Sequence, residues 1–308
     1  MIRYLLQRLA GGIMVLVAIS LVTFLLLEQA PGDAAEALVG ESASAAQLAA
    51  ARHQMGLDVP LLRRYADFIA GIVQGDLGRS LVSGRPVTTL VAERFGATLE
   101  LALATMVLSL VAGSAIGLLA AAHQGGYLDL LLMSIATLGI SLPTFWVALL
   151  LILTFSLRLG WLPVAGAGSP AHLVLPAVSL ALPTISVVAR LMRAGMLDVK
   201  GAEYVRTAHS KGLSPRHVWQ VHMLRNGLNP VITMLGLHLG HLLGGTFIVE
   251  TIFGWPGLGR LVVQSVFDRD YPVLIGAVLL IAVMYQILNL AVDLIHAILD
   301  PRLGKEAL

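Results

Sequence analysis

Six runs of apolar residues, each close to or above the roughly 20 needed to cross a bilayer, mark the chain at 9–27, 99–122, 128–157, 172–192, 231–250 and 272–298. Each is too long and too evenly apolar for a strand, so six transmembrane helices are expected. The polar stretches between them carry turn and cap chemistry. In the segment 30–98, an alanine-rich run after Ser44 and a second run at 61–73 read as short helices. Asp76-Leu77-Gly78 and Ser83-Gly84-Arg85-Pro86 read as turns. This divides the chain into a tail and first helix (1–29), an outer segment (30–98) that caps the bundle, a five-helix core (99–298) and a short tail (299–308). The core contains a loop at 193–229.

Composition agrees with this pattern. Of 308 residues, 57% are hydrophobic and 12% charged, against roughly 25% charged in a soluble domain. Mean hydropathy is +0.85. These values argue against a soluble enzyme, a nucleic-acid-binding domain and a disordered chain. The first apolar run has a basic start (Arg3, Arg8) and an Ala35-Glu36-Ala37 sequence downstream, as a secretory leader does. Its core is longer than the roughly 7–15 residues of a leader, and Pro31-Gly32-Asp33 stops the helix early, so it reads as a retained membrane helix.

Charge sets the orientation. With the N-terminus inside, eleven basic residues face the cytoplasm: Arg3, Arg8, Arg190, Arg193, Lys200, Arg206, Lys211, Arg216, Arg225, Arg302 and Lys305. Three in short loops face out: Arg158, Arg260 and Arg269. The positive-inside rule therefore puts both ends in the cytoplasm. There is no cysteine, hence no disulfide, thiol nucleophile or thiolate metal site. No phosphate loop, H-E-x-x-H or G-x-S-x-G sequence occurs, so catalysis has no sequence support.

The loop at 193–229 holds the densest signal. It is basic, and its punctuation is that of two short helices. The first stops at Gly212, where a residue without Cβ takes the left-handed cap. The second starts with Ser214 as N-cap and Pro215 at the first helical position. An ordered hairpin here reads either as a docking element or as a solvated basic loop that only sets topology.

Within the membrane, Gln286, Asn289, Asp293 and His296 share one face of the sixth helix. They read as interhelical hydrogen-bonding groups or as lining of a pathway. Gly236, Gly240 and Gly244 make a close-packing stripe on the fifth helix, with His238 and His241 roughly opposite. The two histidines read as a substrate-facing or metal-contacting pair, or as hydrogen-bonded structural histidines, since a pair alone is an incomplete metal site. Pro143, Pro176 and Pro183 are expected to break or kink the third and fourth helices.

The residues Glu203-Tyr204-Val205-Arg206-Thr207-Ala208-His209-Ser210-Lys211-Gly212-Leu213, then Leu224-Arg225-Asn226-Gly227 and Pro230, resemble the coupling loop of ABC-importer permeases. More narrowly they resemble the oligopeptide/dipeptide/nickel family and its B-type peptide subunits. Arg206-Thr207-Ala208, Gly212 and Leu224 fall on the family's E-A-A…G motif, with Arg206 and Thr207 in place of the first two motif residues. Similar matches run along the chain: Pro31-Gly32-Asp33, Gly56-Leu57-Asp58, Gly75-Asp76-Leu77-Gly78, Gly160-Trp161-Leu162-Pro163, Trp255-Pro256-Gly257-Leu258-Gly259 and Asp300-Pro301-Arg302.

The resemblance implies an all-α, type I importer permease with six spans in a bacterial plasma (inner) membrane. Such a chain forms half of a pathway with a homologous second permease. Two ABC ATPase subunits bind inside and hold ATP and magnesium, and an extracytoplasmic binding protein delivers the cargo. The chain itself is then no enzyme, binds no cofactor or metal, and has membrane lipid but no nucleic acid as a partner. The implied docking residues are Glu203, Tyr204, Arg206, Thr207, Ala208, Lys211, Gly212 and Leu224. Peptides are the expected cargo, with nickel, metal chelates or glutathione as alternatives.

Overall fold

The computed structural model describes residues 2–28, 43–54 and 58–299, which are helical apart from the turns and irregular loops that connect the helices. Among the described residues there is no strand, only a single bridge between Arg79 and Pro86. The helices are α1 (Ile2–Glu28), α2 (Ala45–Gln54), α3 (Leu61–Val73), α4 (Val87–Ala122), α5 (Tyr127–Ser141), α6 (Thr144–Leu151) and α7 (Pro170–Lys200). After these come α8 (Glu203–Ser210), α9 (Pro215–His217), α10 (Leu224–Gly227), α11 (Asn229–Gly245), α12 (Phe247–Ile252), α13 (Leu258–Phe267) and α14 (Tyr271–Leu299). Wider π turns occupy Ile152–Arg158 and Val218–Met223.

All six apolar runs are helical, but not all as single rods. Among the described residues, Arg8–Leu26, α4, α7 and Tyr271–Ala291 are each long and apolar enough to cross a membrane alone. The third run is broken: α5 and the helical stretch after it meet at 102°, with Pro143 and extended Leu142 at the joint. A proline removes a backbone donor and disfavours helical geometry in the residue before it. The fifth run is interrupted at Thr246, which leaves α11 with 17 residues. By contrast Pro176 and Pro183 lie inside an unbroken α7.

Two boundaries differ from expectation. The second helix begins at Val87 rather than 99, because Val87 and Val91 are buried and hold its first turns in a core. The fourth runs on to Lys200 instead of ending at 192, because Gly195 is buried in a close contact with Gly227 and does not act as a stop, and Met196 is fully buried.

The chain forms two compact units, one of residues 1–98 and 256–308, the other of residues 99–255. In the first, Val87, Val91, Leu258, Val273 and Ala277 form the core. Buried Asp270 accepts hydrogen bonds from Ser80 Oγ (2.5 Å) and the Leu81 amide (3.0 Å), and Thr98 Oγ1 accepts one from the Leu258 amide (2.7 Å). The two expected turns are present, with Asp76 accepting from the Gly78 amide at 2.8 Å. The helix at 61–73, expected in the outer segment that caps the bundle, lies along α1: Tyr65 Oη is 2.8 Å from Ser20 Oγ and donates to the Val17 carbonyl.

In the second unit α7 is the centre. Thirteen of its residues are buried, and α4, α5, α6 and α11 pack around it. On α4, a Cβ at Gly113 would stand 2.6 Å from the Val188 side chain, and one at Gly117 2.5 Å from the Ala189 carbonyl. Only glycine admits so close a crossing. The stripe on α11 is less uniform: Gly240 is buried but Gly244 is exposed.

Candidate functional site: the loop at the foot of the central helix

At the end of α7 the chain turns through Gly201 and Ala202 into α8. α8 ends as its sequence dictates. Gly212 has φ +78°, its amide donates to the His209 carbonyl (2.9 Å), and the Leu213 amide reaches the Ala208 carbonyl (3.4 Å). These two bonds satisfy carbonyls that the helix would otherwise leave open. α9 then starts at Pro215, with Ser214 Oγ accepting from the His217 amide at 3.3 Å. Both expected helix boundaries are present at these residues.

The hairpin is anchored rather than solvated on all sides. Val205 and Ala208 of α8 are buried with Val218 and Met223 in one cluster, which also holds Val188, Met192, Met196 and Val231 of the membrane helices. Asn226 Nδ2 donates to Tyr204 Oη at 3.0 Å and ties α10 to α8. The loop thus shares one hydrophobic core with the foot of α7.

The eight residues marked by the sequence divide into two sets. Glu203, Tyr204, Arg206, Thr207, Lys211 and Gly212 are exposed. Ala208 is 6% exposed and Leu224 is half-buried against the same cluster. Ala208, expected as a small residue on the docking surface, thus faces inward. At helical spacing Val205 and Ala208 make the inner stripe of α8, and Arg206, Thr207 and Ser210 the outer one.

Three contacts brace the foot of α7. Arg193 donates through Nε and Nη2 to the two carboxylate oxygens of Asp129, at 2.6 and 2.7 Å. Asp129 is buried and also accepts from the Gly125 amide at 3.0 Å. Lys200 Nζ donates to Gln124 Oε1 at 3.2 Å. A planar guanidinium matched to a carboxylate fixes orientation as well as distance. Sequence reasoning counted Arg193 only as a topology charge and passed over Asp129, the lone acid in its apolar run. That lone charge was the signal available.

The remaining candidates do not form one site. His238 Nε2 lies 2.9 Å from Thr184 Oγ1, so the histidine links α11 to α7 in the second unit. Gln286 and Asn289 belong to the first unit. There they line a cavity of about 180 Å³ with Arg8, and Gln286 lies over Gly12. The side chains of His241 and Asp293 lie outside the described residues. Glu250, which is not among these candidates, is fully buried on α12, with Thr246 Oγ1 donating to it at 2.8 Å.

This architecture defines a class: a helical, multi-pass membrane protein with a braced helical hairpin at the foot of its central helix. Comparison with known proteins supplies the family. The model of the family described as "Binding-protein-dependent transport system inner membrane component" matches residues 113–305, and that of its N-terminal membrane component matches residues 1–102. The chain belongs to this family, and is an ABC importer permease of the dipeptide/oligopeptide type.

Among curated relatives, the glutathione transport system permease protein GsiC of Escherichia coli strain K12 is 44% identical over 301 residues, 98% of each chain. GsiC of Shigella flexneri serotype 5b shows the same identity and coverage. Solved structures share the fold at low identity. An amino acid ABC transporter with histidines matches at TM-score 0.53 and 20% identity, over 68% of this chain and 93% of that one. The inward-facing MetNI methionine ABC transporter matches at 0.57 and 17%, over 67% and 94%. The permease is a multi-pass inner-membrane protein, and its class leaves ATP hydrolysis to separate subunits.

Proposed function

We propose that this permease forms half of the pathway of an importer for short peptides, glutathione included, and that α8 docks on an ATPase subunit. The observation that carries the docking is the division of α8 into two faces: an inner stripe packed on the membrane helices and an outer stripe of exposed polar and basic side chains. A helix held rigidly from behind passes a push on its outer face to α7. The rest of the assembly in this reading is a homologous second permease, a second ATPase and an extracytoplasmic binding protein. ATP and magnesium sit on the ATPases.

Two lines support the cargo. The relatives at 44% identity are glutathione permeases, and glutathione is a tripeptide. The metal alternative draws less support, because Nε2 of His238, one of its two proposed ligands, already faces the Thr184 hydroxyl. The test is ATP-driven uptake by the purified transporter in proteoliposomes, comparing labelled glutathione, a dipeptide and Ni²⁺. Uptake of glutathione or the dipeptide without Ni²⁺ uptake is expected. Uptake of Ni²⁺ alone, lost in His238→Ala, contradicts the peptide reading.

A further inference from the structure

The first unit holds a second feature that the transport reading leaves unused. α3 is strongly amphipathic. Arg63, Arg64 and Asp67 lie on one side, and Tyr65, Phe68, Ile69 and Ile72 on the other. The apolar side lies along α1, where Phe24 stacks with Tyr65 and Phe68 at 5.5 and 6.2 Å. Tyr65 reaches as far as the Val17 carbonyl. Phe24 lies three residues before the end of the first apolar run, about 4.5 Å along a helix. A helix with a polar face and an apolar face at that level belongs to the boundary zone of a bilayer.

Two cavities lie beside α3, and they share Leu77. The first, about 280 Å³, lies at the level of Phe24 and Tyr271 and is lined by Arg64, Asp67 and Asp76. The Arg64 guanidinium sits 5.6 Å over the Phe24 ring, which positions it at this mouth. The second, about 410 Å³, lies deeper, between Ile13, Val17, Ile69, Ile72, Leu280 and Val283. Its lining is apolar apart from Ser20, whose hydroxyl is engaged with Val17 and Tyr65. From Phe24 to Ile13 is about 16 Å along α1, close to the roughly 15 Å depth of one leaflet's hydrocarbon.

We propose that this pair of cavities binds one zwitterionic glycerophospholipid, with its phosphate at Arg64, its ammonium at Asp67 and Asp76, and an acyl chain in the deeper chamber. Charge chooses the occupant: one cation and two carboxylates at a single mouth suit a headgroup carrying both signs better than an anionic one. Length and polarity agree, with charge confined to the end of the site that lies at the helix termini. The lipid fills space between α1, α3 and α14, and so fixes α3 against the first helix.

The test is native mass spectrometry of the full chain, extracted in mild detergent with its associated subunits. Phosphatidylethanolamine and phosphatidylglycerol of identical acyl chains are added in turn. One phosphatidylethanolamine per chain is expected, retained at least threefold over phosphatidylglycerol. Arg64→Gln, and Val17→Trp, which fills the deeper chamber from a partly exposed position, should each reduce retention at least fivefold. Asp67→Asn, a conservative change at an exposed residue, should move the preference towards phosphatidylglycerol. Leu62→Trp, on the exposed side of α3, should change nothing. Equal retention of both lipids, or retention unaffected by Arg64→Gln and Asp67→Asn, would overturn the proposal. Loss of the lipid when the partner subunits are attached would also overturn it, since the groove would then be a subunit seam.

Discussion

A buried carboxylate in a membrane helix is stable only when paired, and Asp129 has Arg193. Removing one partner of such a pair typically costs about 3–5 kcal/mol, because the other charge stays behind unpaired. Asp129→Ala and Arg193→Ala are each expected to cost about 3 kcal/mol, the low end of that range, since Arg193 is 29% exposed. The double variant should cost less than the sum, because it leaves no orphan charge. Thermal unfolding in detergent reads this directly, and strict additivity would show that the pair is not coupled. The pair illustrates what the sequence withheld. Its partners are 64 residues apart, and no local rule joins them. Gly212 and Ser214 were legible because a helix stop and an N-cap are decided within a few residues.

At the scale of elements, the hairpin depends on where α8 ends. Gly212 has φ +78° and a Cβ there would meet no neighbour, so the cost of substitution is conformational and not steric. Gly212→Ala should destabilise the stop by about 1–2 kcal/mol. Gly212→Asn should cost less, since asparagine tolerates the left-handed region. ATP-driven uptake at matched expression is expected to fall in the order glycine, asparagine, alanine, with insertion unchanged. Equal uptake in all three would show that the stop is irrelevant to coupling.

The elements also show the limits of pattern reading. The apolar runs located every membrane-length helix and Pro143 marked the 102° break, but the short apolar helix α13 was missed, and the continuous passage of α7 through Pro176 and Pro183 comes from packing. The residues flanking a proline cannot reveal which neighbours will support the helix. The same holds for Ala208. Its small size was read from the sequence, but which side of α8 it occupies is set by Met192, Met196 and Val218.

At the scale of the whole molecule, the basic residues predict that both ends lie in the cytoplasm, with Ser44 on the other side. The chain has no native cysteine, so Ser44→Cys and Thr207→Cys give single labels directly. An impermeant thiol reagent added outside intact spheroplasts should modify position 44 and spare 207. Labelling of 207 but not 44 would invert the topology. Family membership was legible at this scale too, because it rests on many short motifs in order and not on any one site.

The central claim is that α8 carries the ATPase contact on its outer face, and cross-linking tests it most directly. A photoreactive residue at Thr207, exposed on that face, or at Ser44 is introduced into a transport-competent complex in membranes and irradiated. The account predicts an adduct between position 207 and an ATPase subunit, and none from position 44. A complex that transports normally but gives no ATPase adduct from position 207, or gives one from position 44, would contradict it.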